Sequence, residues 1–453
     1  IGIDSGGTFT DCVLIDSQGR VTSDKAFTTP RDLTEGILNS IENTASALGR
    51  TLQQILRETD ILAIGTTSLI NALLTRQGAR VGLITTKGHE DALIIGRVMA
   101  KTDGLSETQK GDIIVWDKPE PLVPRSLIKG ITERVDYKGA EVVSLNLKEV
   151  EMAVADLVIQ GAKAIAVSFL WSFMNQQHEL KVKEFIVQRY PDLFVTLSSE
   201  VSPYLGEYER TTTTLINAYL GPRAKREFTT MSLAFNQQGF SHPPFIMQST
   251  GGVVWAEEAA QKAVYTLSSG PAGGVMGAAN TGKLLGYDNI IATDMGGTSF
   301  DVGLILRGEV PLARSPIYDR YRVLIPTLDV VSIGAGGGSI AHVDAQTGTI
   351  NVGPQSAGAQ PGPVCYDWGG TDPTVTDADI TLGRINPDNF FGGRKQLNKS
   401  KAEQAIKEKI AEPASKAFKK LSELTTKPQT ETLPELASKE KKGTRRKSFG
   451  QSG

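Results

Sequence analysis

Apolar positions along the chain follow two rhythms that take turns. Short apolar runs, IGID (1–4), CVLID (12–16), ILAIGTT (61–67), VGLITT (81–86) and AIAVSFLWSF (164–173), predict strands, the last of them buried. Between them, apolar residues three and four apart predict helices over DLTEGILNSIENTASALG (32–49), LKEVEMAVADLVIQGA (147–162) and HELKVKEFIVQRYP (178–191). Asp32 is placed as an N-cap, and another helix is expected to start near Ser68. A long helix is expected over 208–239, a strand, glycine turn and helix over 245–260, and a small-residue turn feeding a helix over 268–286. This β-α-β alternation predicts an α/β protein.

Two stretches break the rhythm. Residues 91–140 are irregular and richer in Pro, Lys and Asp, which predicts a surface excursion at about 98–130. From about 395 onward, 15 Lys/Arg stand against 7 Asp/Glu, with no Trp, Tyr or Val. The first part of that tail has helical character, and its last 25 or so residues have a disordered composition.

One pattern occurs twice. IGIDSGGTFTDCVLI (1–15) and IATDMGGTSFDVGLI (291–305) agree at eight of fifteen positions. A separation of 290 residues rules out a short-period repeat and predicts two similar domains, each opening on the same β-hairpin. In each copy a strand ends at an aspartate, Asp4 or Asp294. Two glycines then let the backbone turn sharply and approach a ligand. Their amides and the Thr8 or Thr298 hydroxyl suit phosphate oxygens. Carboxylates beside phosphate repel it unless a cation or proton intervenes. Asp4, Asp11, Asp294 and Asp301 therefore imply Mg²⁺, held directly or through water, or a proton-accepting role. A single Asp-x-Gly-Gly is often only a hairpin turn; two copies with the same flanks argue against that.

Composition narrows the function classes. A net charge of −2 gives no global electrostatic case for nucleic acid or an anionic membrane. No apolar run reaches the ~18 residues of a membrane span. Two cysteines, Cys12 and Cys365, make no disulfide framework and fit a reducing, cytoplasmic setting. The chain opens inside a predicted strand and without Met, which leaves room for preceding residues. The four histidines, 89, 178, 242 and 342, form no HxxxH or HxH, so a zinc or iron site within the chain is not expected.

With these residues on the page, a family resemblance follows. DSGGTFTD and DMGGTSFD resemble the two phosphate hairpins of the actin, sugar-kinase and Hsp70 ATPase superfamily, and GAGGGS (334–339) resembles its adenosine-packing glycine stretch. GTTSLINALLTRQGARVGLITTKGHEDALIIGR (65–97), SSEVSPYLGEYERTTTTLINAYLGP (198–222), TLSSGPAGGVMGAA (266–279) and TDPTVTDADITLGRINPDNFFGG (371–393) are similar to the hydantoinase A and 5-oxoprolinase family, which includes acetone and acetophenone carboxylase subunits. The likeness spans about 1–400. It implies two actin-like (ribonuclease H-like) domains, 1–200 and 201–400, followed by the tail 401–453, with an interdomain ATP cleft. It implies ATP and Mg²⁺ as cofactors, and a hydantoinase B-type partner in a hetero-oligomer. The implied chemistry is phosphorylation of a carbonyl-type oxygen that opens a cyclic amide such as hydantoin or 5-oxoproline. Carboxylation of a ketone is the alternative, and a nucleotide-gated scaffold of the actin or Hsp70 type a further one.

On that reading Gly6, Gly7 and Thr8 hold one side of the triphosphate, and Gly296, Gly297 and Thr298 the other. Asp4 and Asp294 organise Mg²⁺, while Asp11 or Asp301 supports that shell or orients the acceptor. Gly334, Gly336, Gly337, Gly338 and Ser339 contact adenosine or ribose, and Gly270, Pro271, Gly273 and Gly274 line the same cleft. Thr66, Thr67, Ser68 and Asn71 sit at a predicted strand-to-helix turn and face substrate or phosphate; N-capping is the equal alternative for Ser68. Arg210 pairs a carboxylate or phosphate, unless it lies on a solvated helix face. Asp377 and Asp379 are metal or nucleotide contacts, or else a turn with a helix cap. His89 is near substrate or structural. Neither cysteine has an activating base, so no nucleophile is expected.

Overall fold

The structure, a computed structural model, describes residues 1–426 except Pro30, Ser106, Thr298, Gln346, Ala359 and Gly392. The expected disordered end, 427–453, and the expected phosphate contact Thr298 lie outside the described residues.

The expected alternation is present. The first half opens with β1 (Gly2–Ser5), β2 (Phe9–Ile15) and β3 (Val21–Phe27), followed by α1 (Leu33–Ala47). Helix α1 starts where Asp32 accepts a hydrogen bond from the Thr34 amide, as its N-cap position predicts. Then come β4 (Ala63–Thr66), α2 (Ser68–Leu74), β5 (Val81–Thr86) and β6 (Ile128–Ile131). After them run α3 (Leu147–Ile159), β7 (Ala164–Ser168), α4 (Gln177–Arg189) and β8 (Phe194–Leu197). The strand expected over 164–173 ends at Ser168, because a turn begins at Leu170. Strands β8, β7, β5 and β6 form a parallel sheet in that order. Every residue of β5, β7 and β8 is buried, as expected for a sheet covered on both faces.

The 31-residue α5 (Glu207–Gln237) packs on this sheet. Strands β9 (Phe245–Met247) and β10 (Val253–Trp255) then return to the first hairpin. The resulting six-stranded sheet has the order β10-β9-β4-β1-β2-β3, so strand pairing does not change partners at residue 200. One core cluster runs from Ile3 to Val264 and on to Ile325.

Helix α6 (Ser269–Leu285) leads into the second hairpin, β11 (Ile290–Met295) and β12 (Phe300–Ile305), with β13 (Val330–Ile333) beside it. The segment expected as a turn feeding this helix is helical from Ser269, with Pro271 in the first turn, where its missing N–H costs nothing. Strands β14 (Ser339–Val343) and β15 (Ile350–Ser356) form a separate pair, and α7 (Val375–Thr381) follows. A small satellite core joins Cys365, Tyr366, Ile380, Leu397 and Ala402.

The two hairpins differ in what covers them. On the first, the face bearing Ile3 and Cys12 is buried under α1. On the second, the corresponding face carries Ile291, Leu304, Val331, Met295 and Ile333, which are 45–69% exposed. Its opposite face packs on α6, where Gly303 meets Val275 and Gly282 meets Ile290. Strand β1 is also paired by β4, whereas among the described residues β11 has β12 as its one strand partner. No helix among the described residues is long and apolar enough to cross a membrane.

Candidate functional site

The duplicated hairpins share their register. Asp4 stands opposite Asp11, and Asp294 opposite Asp301. The turns match as well: the Gly6 amide donates to the Phe9 carbonyl and the Gly296 amide to the Ser299 carbonyl, both at 3.0 Å. Like charges placed directly across a ladder destabilise it, so the repetition calls for a reason other than folding.

The two turns face each other. A Cβ built on Gly297 would stand 2.7 Å from Thr8 Oγ1. Asp4, near the end of β1, is open to solvent yet crowded by protein. That crowding, followed by the charges of Asp11, Asp294 and Asp301, pushes its carboxyl up to about 6. Asp294 is raised too, by partial burial first and then by Asp301 and Asp11. Asp11 is the compensated member, ion-paired with Lys25 at 2.8 Å. Asp301 turns Oδ1 into a buried position with no hydrogen-bond partner, and Oδ2 accepts from Ser299 Oγ at 3.4 Å.

Small residues keep the floor open. A Cβ on Gly270 would reach within 3.3 Å of Asp4 Oδ1, and one on Gly65 within 3.7 Å. Ser269 Oγ accepts from the Thr66 amide (3.0 Å) and donates to the Thr66 carbonyl (2.8 Å), which pins the start of α6 beside β4. The positive end of that helix dipole therefore sits next to Asp4, where an anion is favoured. Gly273 instead faces Met247, and Gly274 has open space around it.

The first loop is braced from β3. Thr28 Oγ1 donates to the Gly6 carbonyl (2.9 Å) and the Thr28 amide to the Thr8 carbonyl (3.0 Å). The second loop is braced by the glycine stretch. Gly337 donates to the Gly296 carbonyl (2.9 Å) and Gly338 to the Gly297 carbonyl (2.7 Å). These two amides are thus spent on bracing the loop. The Gly336 amide is likewise satisfied, by the Ser339 hydroxyl at 2.9 Å, and Gly334 remains exposed.

Other expected contacts are settled by local geometry. Arg210 is neither a solvated charge nor a substrate clamp: it is 1% exposed. Its guanidinium donates to Phe169 O (2.8 Å), Tyr204 O (3.2 Å) and Ser198 Oγ (3.2 Å), pairs with Glu207 and lies 5.1 Å from the Phe173 ring centroid. The Gly206 turn drops the start of α5 into the protein, and Arg210 goes with it. Thr66 is buried and its hydroxyl accepts from the Ser68 amide; Ser68 itself donates to Glu227. Thr67 is the N-cap residue of α2 without a side-chain cap bond, receives Asn71 Nδ2 at 3.4 Å, and sits beside Gly270. Asn71 is exposed. Asp377 forms a capping box with Thr374 and accepts from the Val364 and Cys365 amides, so the helix-cap reading holds. His89 is half-buried and burial lowers its pKa; its charged neighbours are Glu207, Arg134, Arg210 and Glu90. Both cysteines are buried and burial pushes both thiols up, which removes them as nucleophiles.

A magnesium site has partial support in these side chains. Among the described residues no three His, Cys, Asp or Glu groups gather around one point. An orphaned Asp301 oxygen and an Asp4 carboxyl raised by burial and then by three like charges still mark a site suited to a cation. Mg²⁺ commonly takes one or two carboxylates and fills its shell with water and phosphate oxygens, so the donor set fits. Sequence reasoning missed Lys25, Thr28, Ser269 and Thr376, whose importance depends on partners distant in the chain.

A duplicated hairpin with its two glycine loops facing each other over a carboxylate-lined cleft defines an actin-like α/β protein. The chain belongs to the hydantoinase/oxoprolinase family. The sequence model of the family's N-terminal region matches residues 1–190, and that of hydantoinase/oxoprolinase matches 210–449, past the expected limit near 400. The acetophenone carboxylase gamma subunit of Aromatoleum aromaticum is 44% identical over 421 residues, 91% of this chain and 57% of that one. Caprolactamase subunit alpha of Pseudomonas jessenii is 41% identical over 413 residues, 91% and 58% of the two chains. Among solved structures, nucleotide-free acetone carboxylase superposes with a TM-score of 0.81 at 33% identity, covering 94% of this chain and 61% of that one. ATP-dependent caprolactamase from Pseudomonas jessenii gives 0.75 at 38%, covering 92% and 61%. The chain thus spans less than two thirds of these relatives.

Proposed function

We propose that this chain is the nucleotide-binding part of an ATP-dependent enzyme that phosphorylates a carbonyl-type oxygen of a small substrate. One observation carries the reading: two glycine loops of the same register meet beside four aspartates, of which Asp4 and Asp294 are raised by burial and then by the neighbouring carboxylates. Phosphoryl transfer needs alignment and charge neutralisation more than covalent help. The Gly7 and Gly297 loops approach the phosphates from opposite sides, and the start of α6 adds a favourable dipole. Asp4 and Asp294 are the residues that would hold Mg²⁺, which supplies neutralisation of the phosphate oxygens. Asp4, poised near 6, also suits acceptance of a proton near neutral pH. Asp301 supports the same shell, and Asp11 stays neutralised by Lys25.

The acceptor in the first reading is the amide oxygen of a cyclic amide, activated for ring opening; the 41% identity to a caprolactamase subunit supports it. The second is a ketone-derived or bicarbonate oxygen, supported by the 44% identity to an acetophenone carboxylase subunit. In both readings the chain works in a hetero-oligomer with a hydantoinase B-type subunit in the cytoplasm. The test is ATP consumption by the chain with that partner across lactams, hydantoins, 5-oxoproline and ketones plus bicarbonate. Dependence on an amide selects the first reading, and dependence on ketone plus bicarbonate the second. Asp4→Ala and Asp294→Ala abolish turnover while the fold survives. Full turnover in both variants would sink the proposal.

A further inference from the structure

The segment 364–397 takes no part in the proposed reaction, yet it contacts the residues that brace both glycine loops. At the second loop, Gly337 donates to the Gly296 carbonyl, and both the amide and the hydroxyl of Thr376 donate to the Gly337 carbonyl at 2.8 Å. The next residue, Asp377, ties α7 to the amides of Val364 and Cys365 at 3.1 and 2.7 Å. Tyr366 follows and packs on Phe390, ring centroids 5.4 Å apart. Phe390 and Phe391 then lie against Phe9 at 6.0 and 5.7 Å, and Phe391 also against Phe27 at 5.1 Å. Phe9 is the residue whose carbonyl receives the Gly6 amide. Contacts therefore run unbroken from Gly296 to Gly6.

Phe391 shows that this path is under constraint. Its φ is +56°, a conformation bulky side chains rarely adopt and one that persists only where surroundings enforce it. Arg394 does the enforcing: Nε donates to the Phe391 carbonyl (3.1 Å), the guanidinium lies 4.1 Å from the ring centroid, and its far end pairs with Asp24 on β3. The strain turns the Phe391 ring onto the strand that carries the first loop.

We propose that 364–397 is a strut that fixes the spacing of the two loops, with Phe391 and Thr376 as positioning residues for a nucleoside triphosphate. The proposal rests on the reading that these loops hold the phosphates. Loosening either end lets the loops drift, and loosening both adds little, because a strut slack at one end no longer transmits. Independent structural defects at separate sites would instead add.

The test measures Mg-ATP affinity by calorimetry on the full chain, with thermal melts confirming folded protein. The set comprises wild type, Phe391→Leu, Thr376→Val, the double variant and Phe391→Tyr. Each of the first two single variants is expected to weaken ATP by about tenfold or more. The double variant stays within about twofold of the weaker single, and Phe391→Tyr keeps near wild-type affinity. Unchanged affinity in either Phe391→Leu or Thr376→Val, or losses that multiply in the double variant, overturns the strut. Wild-type protein that binds no ATP overturns the phosphate reading itself, and the strut with it.

Discussion

At the scale of single residues, the cleft holds charge that the fold would be better without. The Asp4 carboxyl stands at about 6 in the folded chain against an ordinary 3.8. As pH rises, the unfolded chain sheds this proton first, so native stability falls between about pH 4 and 6 and stays lowered above. Asp4→Asn should therefore melt higher than wild type at pH 7.5 and equal to it near pH 4, in calorimetric scans without nucleotide. Added Mg²⁺ should narrow the gap by raising the wild type alone. A wild type no less stable than the variant at pH 7.5 would contradict the electrostatic account. Gly338 gives a second case. A Cβ there meets the Gly297 carbonyl and Ser356 Oγ, each at 2.9 Å. Gly338→Ala should cost about 1–3 kcal/mol in urea unfolding and weaken ATP, since the second loop must move. The glycines and aspartates of the cleft were legible in the sequence because each loop is built by neighbours. The bracing of the second loop by the Gly337 and Gly338 amides was not legible, because a glycine-rich stretch gives no sign of which partner its amides will meet.

At the scale of elements, hairpins and helices followed from apolar spacing, and Asp32 was placed correctly as a cap. What the pattern hid was how elements are tied together. Arg210 looked like a solvated or substrate-facing charge in EYERTTTT, since helix periodicity is silent about which turn of a 31-residue helix is submerged. It bonds instead to Phe169, Ser198 and Tyr204 before the helix and to Glu207 in its first turn. Arg210→Met should cost about 3–5 kcal/mol by leaving Glu207 and Glu179 without their cation, measured by denaturant unfolding. At temperatures where the variant remains folded, ATP affinity should be unchanged; a specific loss there would restore Arg210 to the ligand site. The aromatic contact between Phe9 and Phe391 was equally hidden, because its halves are separated by nearly the whole described chain.

At the scale of the whole molecule, the duplication visible at 1–15 and 291–305 stands as two facing hairpins of matched register, but their unequal finish was not legible in the sequence. The first hairpin is sealed by α1 and β4, while the second presents Ile291, Leu304, Val331, Met295 and Ile333 to solvent. A contiguous apolar face of this kind marks an interaction surface or an aggregation liability. The chain should accordingly bind the dye ANS in its native state, and Val331→Lys, away from the aspartates, should reduce that fluorescence and improve solubility. Equal dye binding by both proteins would show the face is not open. The close meeting of Gly297 with Thr8 has a consequence over longer times than any assay. Two copies of one hairpin would ordinarily accumulate changes separately, but a side chain acquired at Gly297 would land on Thr8 of its sibling. The residues tolerated at positions 8 and 297 are therefore linked, each limiting the size open to the other.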